Sequence, residues 1–155
     1  MSRVRRIDLP DNLNTSLTSV DYHDTFTVQV DDGASGSAER WMREVFEAAP
    51  APVRMFLRIG WSMFGARLGP WATTPTHLAG WRIEENLPDR IRLVVDWTVG
   101  LRANLVLRTE TSTEASAITL ATFVQHHRRA SRILWPALVP VHHLTLRYLL
   151  ARATR

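Results

Sequence analysis

Apolar and polar residues alternate along the chain from Gly80 to Gln125 in four successive runs. Trp81, Ile83 and Leu87 alternate with Arg82, Glu84 and Asn86; runs over 91–99, 101–109 and 117–125 follow, joined by Pro88-Asp89-Arg90, by Gly100 and by the polar turn 110–114. A period of two predicts strands. Connections this short predict an antiparallel meander, because parallel neighbours need a crossover of about a dozen residues or more. An earlier run alternates in the same way, with Val20, Tyr22, Asp24, Phe26, Val28 and Val30 on one face and His23, Thr25, Thr27 and Gln29 on the other. It predicts a first strand that ends at Asp31-Asp32-Gly33.

Between this strand and the meander the period changes to that of helices. Ser37 is a candidate N-cap for a helix to about residue 49, with Trp41, Met42, Val45, Phe46 and Ala49 as its apolar stripe. Pro50 and Pro52 are expected to break it. A second helix is predicted over about 53–66, with Val53, Phe56, Leu57, Gly60, Trp61 and Phe64 inward, Arg54, Arg58 and Ser62 outward, and Met55, Ile59 and Met63 widening the apolar side. Gly69-Pro70 stops it. A last helix is predicted over about 131–152; Pro136 and Pro140 predict a kink or a late start. Apolar residues occupy most of its circumference, so it should be covered on two sides: by the sheet, and by the N-terminal arm, the 67–80 loop or a second copy of the chain. Residues 1–19 have no strong period and read as an arm laid over a single domain of residues 20–155.

Composition narrows the function classes. The chain of 155 residues, 45% hydrophobic and 22% charged, has the balance of one ordinary globular domain. It has no cysteine, which excludes disulfides, thiolate metal sites and a thiol nucleophile, and fits a cytoplasmic location. All of its 19 basic residues are arginine, consistent with a GC-rich genome, and the net charge of +4 is too modest to point to nucleic acid. The basic start runs into Asp8, Pro10 and Asp11 instead of an apolar core, so it does not read as a signal peptide. The apolar tract 133–146 is too short to span a bilayer, and membrane insertion is not expected.

The order strand, two helices, meander and long final helix resembles the START-like (SRPBCC) superfamily, whose helix-grip fold is α+β, a curved antiparallel sheet wrapped on a C-terminal helix. Residues 21–26 and the segment from Leu134-Trp135-Pro136 through Val141-His142 to Ala153 are similar to an uncharacterised actinobacterial group within it. The resemblance covers roughly residues 20–153. It implies a hollow between sheet and final helix that accepts an apolar small molecule, a setting used in the superfamily for lipid carriage, polyketide cyclisation or recognition of aromatic compounds. The chain departs from the superfamily in showing four meander strands where the full pattern has six, so either a strand pair lies within 67–80 or the sheet is reduced.

Asp24 is the most informative polar residue, because alternation places it between Tyr22 and Phe26 on the inward face. Burial there would raise its pKa towards the range useful for proton transfer; the plainer alternative is a structural aspartate tied to amides or an arginine. Asp96, Arg102, Asn104 and Arg108 read as a solvated outer face with cross-strand charge pairs. The pairs His126-His127 and His142-His143 lack metal-site spacing, since adjacent residues diverge on either element; no metal or other cofactor is expected. His142 or His143 reads instead as a hydrogen-bonded histidine on an apolar helix that also touches ligand. The run 60–65 has its second glycine one place too far for a nucleophile elbow.

These readings converge on a cavity lined by Tyr22, Asp24, Phe26, Trp81, Trp97, Phe123, His142 and Tyr148, with Met55 and Met63 near its mouth, that binds a hydrophobic or aromatic small molecule or lipid. Two alternatives stand beside it: a cyclase- or dehydratase-like enzyme with Asp24 as acid or base, and a filled, ligand-free domain that forms a homodimer through its last helix.

Overall fold

The alternation of the sequence becomes one continuous sheet with a polar-arm side and a helix side. The computed structural model describes residues 3–31, 36–113 and 115–155; the predicted strand end at Asp32-Gly33 and Glu114 in the last turn lie outside the described residues. Seven antiparallel strands, Arg5–Arg6 (β1), Tyr22–Val30 (β2), His77–Leu78 (β3), Trp81–Leu87 (β4), Arg90–Trp97 (β5), Leu101–Thr111 (β6) and Ser116–His126 (β7), form a curved open sheet in the order β1-β2-β7-β6-β5-β4-β3. Helices α1 (Ala38–Phe46) and α2 (Ala51–Met63) follow β2, and α3 (Arg129–Ala153) closes the chain.

Register fixes which residues meet the helices. One row crosses the inner face from Ile83 through Leu93, Leu105 and Thr122 to Asp24; the next runs from Ile91 through Leu107 and Leu120 to Phe26. Because side chains alternate, the odd residues of β5 and β6 pair with the even residues of β2 and β7 on this face. The main core is built here, from Phe26, Val28, Ile91, Leu93, Leu105, Leu107, Ile118 and Leu120 against Met42, Val45 and Phe46 of α1 and Leu146, Leu149 and Leu150 of α3.

The start of the N-terminal arm reaches α3, where the Val4 carbonyl accepts from the Arg147 guanidinium at 3.4 Å and Val4 joins the main core. The rest of the arm lies on the other face of the sheet, where Leu13 and Leu17 pack on Val106, Ala121 and Phe123. Asn104 ties it down: its Oδ1 accepts from Thr15 Oγ1 at 2.6 Å and from the Ser16 backbone N–H at 2.9 Å. The outer face is therefore solvated only in part. Arg102 does pair with Asp96 at 3.2 Å, but Asn104 is fully buried beneath the arm.

Three boundaries differ from the periodicity. Pro52 sits in the first turn of α2 instead of breaking the chain before it, since a missing N–H costs nothing there. The α3 helix starts at Arg129 and is continuous through Pro136 and Pro140. Between residues 67 and 80 lies the two-residue β3 alone, and the seventh strand is contributed by the arm as β1. No described helix is long and apolar enough to cross a membrane.

Candidate functional site

Helix α2 has the composition of a core helix and the exposure of a surface one. Leu57 is its one buried residue, while Met55, Phe56, Ile59 and Met63 are more than half exposed. The helix stands off the sheet, and the space it leaves is a partly open cavity of about 270 Å³. Phe56, Leu57, Gly60, Trp61 and Phe64 form one wall; Trp81, Trp97, Leu101, Ala103 and Leu105 of the sheet form the floor; Leu134, Trp135, Leu138, Val141 and Leu146 of α3 form the other wall. Thr122, His142 and Thr145 bring polar side chains to it.

Aromatic packing holds the floor in shape. Trp61, Trp71, Trp81 and Trp97 form a chain of ring contacts, with Trp81 edge-on to both Trp61 and Trp97 at centroid distances of 5.5 and 5.4 Å. Edge-to-face pairs of this kind add about 0.5–1.5 kcal/mol beyond burial and resist sliding. Gly60 keeps the opposite wall thin: a Cβ built there would meet nothing within 4 Å.

Where α3 crosses β2, the cavity abuts a buried polar cluster. The Asp24 carboxylate is shielded completely from solvent, and its Oδ2 accepts from the Tyr22 hydroxyl at 2.7 Å and from His142 Nε2 at 2.9 Å. His143 Nε2 lies 2.7 Å from the Tyr22 oxygen and 3.3 Å from Oδ2. Since Tyr22 gives its proton to Asp24, His143 must donate to the tyrosine oxygen, and both imidazoles then carry hydrogen on Nε2. Trp135 packs between Tyr22 and His142, at centroid distances of 5.3 and 5.1 Å.

Burial pushes the Asp24 carboxyl up, but the donors and positive character of His142, the Tyr22 hydroxyl and His143 outweigh it, so its pKa lies below the ordinary carboxylate value. This corrects the rise expected from burial alone: the carboxylate is desolvated and also well solvated by protein donors. The Tyr22 phenol is raised, by burial first and then by its bond to Asp24, and stays protonated. His143 is lowered, chiefly by burial. Asp24 Oδ1 and the hydroxyl of its cross-strand neighbour Thr122 are buried without a hydrogen-bond partner in the protein.

The residues singled out from the sequence divide accordingly. Trp81, Trp97 and His142 line the cavity. Tyr22 and Asp24 belong to the polar cluster behind His142, and Phe26 is core, under the Arg147 guanidinium and beside His143. Phe123 faces the arm, because β7 alternates and Thr122, not Phe123, points to α3. Tyr148 is 41% exposed on α3 and is not part of the cavity wall, and Met55 and Met63 project from α2 into solvent. Adjacent histidines do converge here, contrary to the divergence expected of neighbours on a helix, because Asp24 Oδ2 sits in the gap between their two directions. His126 is bound to Ser131 at the start of α3 instead. No group of three or more acidic or histidine side chains able to hold a metal occurs among the described residues.

No family model and no curated protein matches this chain. Among solved structures, a conserved protein from Geobacillus kaustophilus is 12% identical with a TM-score of 0.44, over 86% of this chain and 93% of that one. Protein Ms6760 from Mycobacterium smegmatis is 12% identical with a TM-score of 0.42, over 83% and 88% of the two chains. CalU16 from Micromonospora echinospora, in its solution structure, is 12% identical with a TM-score of 0.41, over the whole of this chain and 74% of that one.

Proposed function

We propose that this chain is a START-like, helix-grip domain that binds a small hydrophobic or aromatic molecule between its sheet and its C-terminal helix. The observation that carries the reading is the cavity itself, about 270 Å³ of nearly apolar, aromatic-lined space that the surrounding helices leave open. Ligand sites combine such walls with a few polar groups, here the ring of His142. A cavity of roughly 150 Å³ holds one benzene ring. By that scale the preferred ligand has one or two rings, and a long-chain lipid would have to extend through the open side.

Native mass spectrometry of the purified protein beside its denatured mass tests the reading, together with quenching of tryptophan fluorescence by naphthalene. A small molecule released on denaturation, or saturable quenching, is the expected result. The absence of both would leave the cavity without a role in binding and overturn the proposal.

A second reading concerns self-association. Of the ten large hydrophobic residues that are exposed among the described residues, eight lie on α2 and α3: Met55, Phe56, Ile59, Met63, Ile133, Val141, Leu144 and Tyr148. Scattered apolar residues need no explanation, but the two helices that flank the cavity carry most of them, which favours a homodimer through these helices. Leu144, 70% exposed, is the residue to change. Leu144→Glu is expected to convert a dimer to a monomer in analytical ultracentrifugation; a wild-type monomer at all concentrations would refute the dimer.

A further inference from the structure

We infer that the cavity recognises an aromatic ligand carrying a single hydroxyl group, which donates its hydrogen bond to His142, with Asp24 as the residue that fixes the His142 proton on Nε2. The inference rests on the binding function proposed above and names the chemistry of the bound molecule.

The polar corner of the cavity has a direction. Asp24 is an ionised carboxylate and accepts from His142 Nε2 at 2.9 Å. In the neutral ring, a proton fixed on Nε2 leaves Nδ1 as an acceptor, and the His142 ring is part of the cavity wall. The Trp135 ring, packed against it at 5.1 Å, restrains its orientation.

The charges facing this corner decide against acids. Asp24 from β2 contributes a full negative charge behind His142; His143 from α3 has a lowered pKa and is a neutral donor to Tyr22; Arg6 from β1 is the cation that acts on Tyr22 and His143. A ligand carboxylate has no hydrogen to give to Nδ1 and would meet the Asp24 charge across one imidazole ring. A plain hydrocarbon fills the apolar walls but leaves the His142 ring unmatched. A phenol fits both halves of the site.

The test uses three bicyclic probes of equal ring size, titrated into the full chain at neutral pH and followed by tryptophan fluorescence: naphthalene, 2-naphthol and 2-naphthoate. One hydrogen bond to a positioned imidazole predicts about tenfold tighter binding of 2-naphthol than of naphthalene, with 2-naphthoate weakest. His142→Phe, which keeps a ring and removes both nitrogens, should bring the naphthol-to-naphthalene ratio close to one. Asp24→Asn should reduce the same ratio while naphthalene binding persists, a change that a purely structural role for Asp24 would not produce. The wild-type ranking decides even where a variant fails to fold. Equal binding of naphthol and naphthalene, tightest binding of naphthoate, or an unchanged ratio in His142→Phe would overturn the inference while sparing the cavity. Failure of all three probes to bind would remove the binding function and this inference with it.

Discussion

Gly60 offers a test in which stability and binding should move in opposite directions. The residue lies in the middle of α2 on the wall of the cavity, and a Cβ added there meets nothing within 4 Å. Glycine within a helix is less favourable than alanine or leucine by about 0.8–1 kcal/mol, because it gives up more backbone freedom on folding. Gly60→Ala should recover that amount, about 2–4 °C in Tm for a chain of this size, and should scarcely alter binding. Gly60→Leu should recover a similar amount and add the burial of its branched end in the cavity. A ligand would then have to displace or compress that side chain. Overpacking of this kind costs about 1–3 kcal/mol, a loss of roughly tenfold to more than a hundredfold in affinity. Thermal unfolding and fluorescence titration with naphthalene, run on the wild type and both variants, give the two readouts. A loss of stability in Gly60→Leu would mean that the space in front of Gly60 is not open. Unchanged naphthalene binding in a stabilised Gly60→Leu would mean that the probe binds elsewhere.

Acid should loosen the fold. His143 has a folded pKa below its ordinary 6.5, so the unfolded chain binds protons more readily; stability is full above about pH 6.5 and declines as pH falls towards the folded value, and His126, also lowered by burial, acts in the same direction. The lowered Asp24 carboxyl adds a further loss as pH falls below 3.8. Urea midpoints should therefore be lower at pH 5.5 than at pH 7.5, and His126→Gln with His143→Gln should flatten that difference; a wild-type midpoint that rises on acidification would contradict the neutral, buried state of these rings. On the other face of the sheet, Phe123→Ala should cost about 3–5 kcal/mol in urea unfolding yet leave the naphthalene affinity of the folded protein unchanged, because Phe123 packs against the arm. A change in affinity without a change in stability would put Phe123 at the cavity after all.

What the sequence made legible depended on whether a residue's place follows from its own element. Strand alternation is local, so β2 and the four meander strands were readable within a few residues, and so were the caps and breakers around α1, where Ser37 accepts from the Arg40 backbone N–H at 3.2 Å. The short strands were not. Arg5–Arg6 and His77–Leu78 are too brief to show a period and exist because a longer neighbour offers hydrogen bonds. Phe123 shows the limit of reading faces in a highly apolar strand: eight consecutive residues of β7, Ile118 to Gln125, are buried, because the arm covers one face and α3 the other. Where both faces are apolar, alternation loses its contrast, and Thr122 was the residue that marked the inner side.

The polar cluster was half legible for a related reason. A carboxylate on an inward strand face announces that it must be satisfied, but its partners come from α3, more than a hundred positions along the chain, and no local pattern names them. Two adjacent histidines on an apolar helix were the complementary signal. Each motif taken alone invites a separate account, a perturbed catalytic acid or an incomplete metal site. Together they satisfy one another, which lowers the Asp24 pKa instead of raising it and turns His142 towards a role at the cavity wall. Gly60 was the remaining clue, a glycine on the apolar stripe of a helix with no turn or close approach to require it. A helix that keeps a residue costing about 1 kcal/mol where a methyl group would fit is explained most directly by a need for the space in front of it.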